Sequence, residues 1–311
     1  MPAQQYRDKK LNYRRAEFLQ QSGKTLEVYL NEAHTKFPEI SQRRVSLQGQ
    51  PILEGRKHVK DLGGIGTLLH IAAYTPGEHA SIVPKSDSED VSTTPPPRDS
   101  EFMDGDIMAL VVGNHVFLCS SNISDKRAER YMIGIIEAAA LERMASNFCL
   151  CKKADIDKVA LLQSKGVKSI NLNACLFDAT LDHAERTTVQ KKLRGGLMDE
   201  IVSIFAEDRP EEDILSSENL SAKIILSFDS RKKRIDVARQ GIFDLAEKMF
   251  ENEEDSFSIT TLGGETINGS DISLRKTVKL PKHGKSVFFS DAWKALEVYY
   301  TELKDAGVLE Q

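Results

Sequence analysis

Apolar and polar positions alternate with two different periods along this chain, and the changes of period mark its elements. Residues 10–18 alternate as a strand does. Leu26, Tyr29, Leu30, Ala33 and Phe37 then recur at helical spacing on one face, and Thr25 in front of them offers a hydroxyl to cap a helix. Three β-rich runs follow, at 44–47, 51–59 and 67–74. The clearest hairpin pairs 107–112 with 115–120 across Gly113-Asn114, a turn that tolerates positive φ. A long helix is predicted over 125–145, with Met132, Ile135, Ile136, Ala139 and Ala140 turned inward. Strands at 147–153 and 167–176 flank a short helix capped by Asp155 and stopped near Gly166.

Further along, the pattern predicts a helix at 198–206, an acidic loop and a strand at 222–228. An amphipathic helix follows, with Ile235, Ala238, Ile242, Leu245, Ala246 and Met249 on one face. Strands at 256–262 and 273–280 lead to a closing helix at 291–306, capped by Ser290. This order of elements predicts an α+β fold of two domains, each a mainly antiparallel or mixed sheet with helices packed on it. The division is placed at residue 150, giving domains 1–150 and 151–311. Within the first, residues 77–98 shift to Ser, Asp, Thr and Pro, including Pro95-Pro96-Pro97, and predict a disordered surface loop.

With 40% apolar residues the chain can bury a sizeable core. No run approaches the roughly 20 apolar residues of a membrane span. The N-terminal stretch has no apolar segment behind its charges, so no secretory signal is expected. The four cysteines, Cys119, Cys149, Cys151 and Cys175, lack the spacing of a disulfide framework, and the expected compartment is the cytoplasm.

Net charge is −5, which excludes a protein that is basic all over. The charges are nonetheless segregated. One basic cluster is Arg231, Lys232, Lys233, Arg234 and Arg239, and another is Arg275, Lys276, Lys279, Lys282 and Lys285. Acids gather at 87–106, 199–218 and 251–255. Such runs are usually solvated faces. They also steer polyanions when they share a surface.

Most candidate chemistry fails on spacing. Gly63-Gly64-Ile65-Gly66 precedes a β-rich run and lacks the Gly-Lys-Ser/Thr ending of a phosphate loop. Cys149 and Cys151 share a strand face with no second pair nearby, whereas zinc sites take four ligands. His115 and Cys119 share a face of the hairpin without an orienting third group. Asp229 ends a strand, but no Glu-x-Lys follows it to complete a metal-dependent nuclease site. No catalytic residue, metal site or cofactor is therefore expected.

The strand-to-helix connection carrying Arg231, Lys232, Lys233 and Arg234 is the strongest candidate for binding. Backbone N–H groups at a helix start favour anions, and four adjacent cations repel one another unless phosphates or acids lie opposite. Arg239, Lys279, Lys282 and Lys285 extend the candidate patch. No aromatic residue lies in the basic connection itself, 229–239, which favours duplex backbone contact over single strands. Without a recognition-helix motif, binding is expected to ignore sequence.

The strand leading into Thr25-Leu-Glu-Val-Tyr-Leu-Asn, the Phe-x-Asp-Gly-Asp-Ile segment from Phe102 to Ile107, the basic strand-helix connection, and a closing helix with Trp293, Tyr299 and Tyr300 together suggest a family. In this order the chain resembles the Rex A superinfection-exclusion family of phage lambda and, more loosely, the KwaB family of the Kiwa antiphage system. The resemblance implies a cytosolic, non-enzymatic abortive-infection protein that binds double-stranded DNA without sequence preference. It also implies a homodimer and a membrane-protein partner encoded nearby. Only Arg231 to Arg234 match by position, and the acidic net charge departs from the pattern. Two other readings are a protein-interaction module whose basic patch meets an acidic partner or membrane-surface lipid, and a cryptic metal-dependent nuclease.

Overall fold

A computed structural model describes residues 5–20, 23–46, 50–60, 65–86, 90–142, 144–153, 164–175, 221–227, 257–268 and 273–310. The fold is α+β, and every strand register described below is antiparallel. The chain divides into two compact units. One comprises Met1–Asn12, Gln20–Ser146 and Arg275–Gln311, and the other Tyr13–Leu19 and Asn147–Leu274. The segment from Arg275 onward thus clusters with N-terminal elements, whereas a division at residue 150 assigns it to the second half. Strand pairing is the reason, because the segment opens with a strand laid against the first strand of the chain.

The first unit is built on a sheet of order β15-β14-β1-β8-β7-β4-β3-β2. Its strands are β1 (Tyr6–Phe18), β2 (Arg44–Val45), β3 (Ile52–Lys60), β4 (Thr67–Tyr74), β7 (Met103–Val112), β8 (His115–Ser121), β14 (Arg275–His283) and β15 (Ser286–Val287). The central strands read as almost unbroken apolar runs because both their faces are covered. Thr67 receives a hydrogen bond from Asn31 of α1 (Leu26–Lys36), while His70 stacks on Phe289 of α3 (Phe289–Asp305). Positions of opposite parity in β4 face opposite ways, so α1 and α3 cover opposite faces of the sheet. Leu11, Ile71, Ile107, Leu110 and Phe117 are fully buried between these layers. Each contributes roughly 1.5–3 kcal/mol of burial free energy.

Helix boundaries differ from the sequence expectation where tertiary partners replace local ones. Thr25 makes no side-chain cap. Instead the hairpin turn caps α1: Asn114 Oδ1 accepts the Leu26 N–H at 2.8 Å, and Glu27 Oε2 accepts the Gly113 N–H at 2.8 Å. Gly113 carries the positive φ of that turn, at 60°. Helix α2 (Lys126–Ala138) stops short of 145, and Ala140, expected inward, is exposed with φ 47°. Ser290 lies inside α3 and is not its cap, since the helix starts after Phe288. Within 77–98 the described residues form a short exposed ladder, β5 (Ala80–Ile82) with β6 (Ser92–Thr94), that composition did not announce.

In the second unit β10 (Val167–Cys175) lies between β11 (Ser221–Ser227) and β12 (Phe257–Thr261), with β13 (Thr266–Asn268) outermost. Ile170, Phe257 and Ile259 fill the buried side. β9 (Phe148–Lys152) pairs residues 14–18 of β1, and Phe18 and Phe148 meet with ring centroids 5.4 Å apart. The expected strand at 273–280 is shifted to Arg275–His283, and β13 was not expected. The expected helices at 198–206 and around Ile235–Met249, and nearly all of that at 155–166, lie outside the described residues.

Candidate functional site

Thirteen residues of chain, 275–287, fold into β14, the Gly284-Lys285 turn and β15, and carry five cations and no acid. Lys279 stands opposite Asp8 of β1 and is exposed. Lys282 is exposed at the end of β14, its backbone N–H donating to the Gln5 carbonyl at 2.8 Å. Lys285 is exposed in the turn, and its carbonyl accepts from the Arg7 guanidinium. Lys10, also exposed, projects from β1 opposite Thr277. Lys276 is tied down by Glu302 of α3 at 2.6 Å. The structure thus brings Lys279, Lys282 and Lys285 onto one hairpin. Arg231, Lys232, Lys233, Arg234 and Arg239 lie outside the described residues.

Three rings at the same hairpin were missed from sequence. Tyr6 is 60% exposed and pairs with Pro281, and Phe288, directly after β15, is 41% exposed. His283 is exposed and stacks on Phe288 with centroids 4.2 Å apart and planes 29° from parallel. Tyr6 and Phe288 belong to opposite ends of the chain, so no local window places them together.

A second constellation is buried under α3. Ser286 donates to Asp106 Oδ1 at 2.5 Å, and His70 Nε2 lies 3.2 Å from Asp106 Oδ2. The Ser286 hydroxyl is 3.0 Å from that of Ser121, which accepts from Lys9 Nζ at 2.7 Å. Lys9 also donates to the Ser120 carbonyl. Burial lowers the Lys9 pKa, and nearby Asp106 and Asp125 partly offset that. Burial likewise pushes the Cys119 thiol up to about 11, which leaves it protonated and poorly nucleophilic.

This set contains the residue types of hydrolase chemistry in an unsuitable order. Asp106 sits between Ser286 and His70, so the imidazole is not placed to take the serine proton as a triad requires. Lys9 beside Ser121 has the spacing of a serine–lysine pair, but Ser121 is 2% exposed and a substrate could not reach it. The network satisfies polar groups that would otherwise be stranded in the core.

Cys149 and Cys151 share a face as expected, with sulfurs 3.2 Å apart, and both are buried. Among the described residues no group of three His, Cys, Asp or Glu is placed to hold a metal ion. Among them, too, no helix is long and apolar enough to cross a membrane. No family model matches the chain, and no curated protein matches it.

Proposed function

We propose that the protein is a non-enzymatic DNA-binding factor that grips duplex DNA by its phosphates without reading sequence, in the antiphage role that its family resemblance implies. The observation that carries this reading is the acid-free hairpin with Lys279, Lys282 and Lys285 exposed along it. Residues 276–281 of β14 pair with no described strand on their outer side, and lysines on such an edge also discourage sheet-to-sheet aggregation. Guarding an edge needs only scattered charge. A polyanion site needs several cations within one stretch of surface, and three exposed lysines within seven residues of one short hairpin support that reading.

The test is fluorescence anisotropy with a random-sequence duplex at several salt concentrations. Affinity should fall linearly on a log–log salt plot, with slope about −0.9 per phosphate contact. Lys279→Glu/Lys282→Glu/Lys285→Glu should weaken binding at least tenfold and flatten the slope by two to three contacts, about 2 to 3 units. Equal binding by the triple variant moves the site off the hairpin. Absence of binding at low salt favours an acidic protein as the partner of the patch.

A further inference from the structure

We infer that the β14–β15 hairpin, beyond holding duplex by its phosphates, is a docking platform that prefers single-stranded nucleic acid, with unpaired bases stacking on its exposed rings; this rests on the phosphate-binding reading above and goes beyond it to a second ligand. A lone exposed ring is ordinary on a protein surface. Here Tyr6, His283 and Phe288 gather at one hairpin, and His283 and Phe288 are already stacked on each other. A ring pair of this kind presents a flat face onto which a base extends the stack. Lys279 and Lys285 are exposed at the same hairpin, Lys279 on the strand face shared by Pro281 and Tyr6, so cations lie beside a strand whose bases occupy the rings.

The combination separates single strands from duplex. In a duplex the base faces are hidden in the helical stack, and only the lysines find partners. In an unpaired strand both components engage, because stacking accepts any base and phosphates accept the cations. Lysines placed only to guard a sheet edge would gain nothing from exposed rings beside them, and burying those rings elsewhere would have been favourable. The chemistry of the ligand is therefore an anionic backbone bearing accessible aromatic bases.

The experiment uses the full chain and three labelled probes of about twenty nucleotides: oligothymidine, its abasic counterpart, and a duplex, each titrated at matched salt. Wild type should bind oligothymidine on the order of tenfold more tightly than the abasic strand, the usual effect of base stacking on a ring. Tyr6→Ala/His283→Ala should lose that preference while binding duplex as wild type does. Both side chains are exposed, so their removal leaves no cavity, and Tyr6→Trp/His283→Tyr should restore the preference. Equal affinity for oligothymidine and abasic strand, or an unchanged preference in the alanine variant, overturns the stacking platform and leaves phosphate binding in place. Failure of all three probes to bind at the lowest salt overturns the phosphate reading and this inference with it.

Discussion

Asp106 holds together a chain of contacts that no two neighbouring residues could make alone. Its two oxygens take Ser286 and His70, and through Ser286 and Ser121 it is linked to the buried Lys9. Removing one member of a buried charge set leaves the others desolvated and unpaired, which costs about 3–5 kcal/mol. Asp106→Ala should therefore destabilise by that amount in urea or guanidinium denaturation. The companion variant Asp106→Leu/Lys9→Met removes both charges and should recover part of the loss, the remainder reflecting Ser286 and His70 left without their acceptor. An Asp106→Ala chain within 1 kcal/mol of wild type would show that Lys9 relies on other partners, such as Asp125. Chemistry of this kind is hidden from a linear reading. Lys9, His70, Asp106, Ser121 and Ser286 sit on five different strands, and only the sheet order makes them neighbours.

Among the elements, those written in local pattern were legible and those set by partners were not. The β7–β8 hairpin announced itself because Gly113 needs positive φ and the flanking residues are β-rich. The apolar stripe of α1 was equally plain, and Leu26, Tyr29, Leu30 and Ala33 are all buried. Its cap was not, because Asn114 reaches it from a turn far along the chain. The cations of 275–287 were legible from composition, whereas the presence of Tyr6 beside them required knowing that β1 pairs β14. Gly134 in α2 is a similar case. A helix interior normally favours alanine over glycine by about 1 kcal/mol. Here an added Cβ would lie 2.5 Å and 2.9 Å from the two methyl carbons of Val45 in β2. Val45 is β-branched and stiff, so the helix must move, at a cost of roughly 1–3 kcal/mol. Overpacking should win, and Gly134→Ala should lower the thermal midpoint, while a rise would mean that β2 yields freely.

For the molecule as a whole, the clearest pH dependence should come from two histidines held neutral between α1 and the sheet. His34 and His58 stack with centroids 4.3 Å apart and planes 8° from parallel. His34 Nδ1 donates to the Leu30 carbonyl at 2.8 Å, which leaves Nε2 to accept from the Tyr131 hydroxyl at 3.0 Å. His58 Nε2 donates to Asn31 Oδ1 at 2.8 Å. Burial first, then the repulsion of His58 and Arg43, lowers His34 to about 3. Burial and Arg43 lower His58 to about 4. The unfolded chain takes up protons near pH 6.5, the folded chain only near those lower values. Stability is therefore complete above pH 6.5 and lost as pH falls below it, by up to about 1.4 kcal/mol per histidine per unit. Glu54 acts in a separate window. Burial pushes its carboxyl up, but hydrogen bonds from Arg56, Arg44 and Tyr74 outweigh that and hold it below its ordinary value. Its contribution disappears only at pH below about 4.5. Urea denaturation at pH 7.5, 6.0 and 5.0 should show the midpoint falling steeply over the last interval. His58→Gln, which keeps an amide donor for Asn31 without a titrating ring, should roughly halve that fall. Equal midpoints at pH 7.5 and 5.0 in the wild type would mean that the folded protein accommodates charged imidazoles here, and that the stacked pair does not set its acid limit.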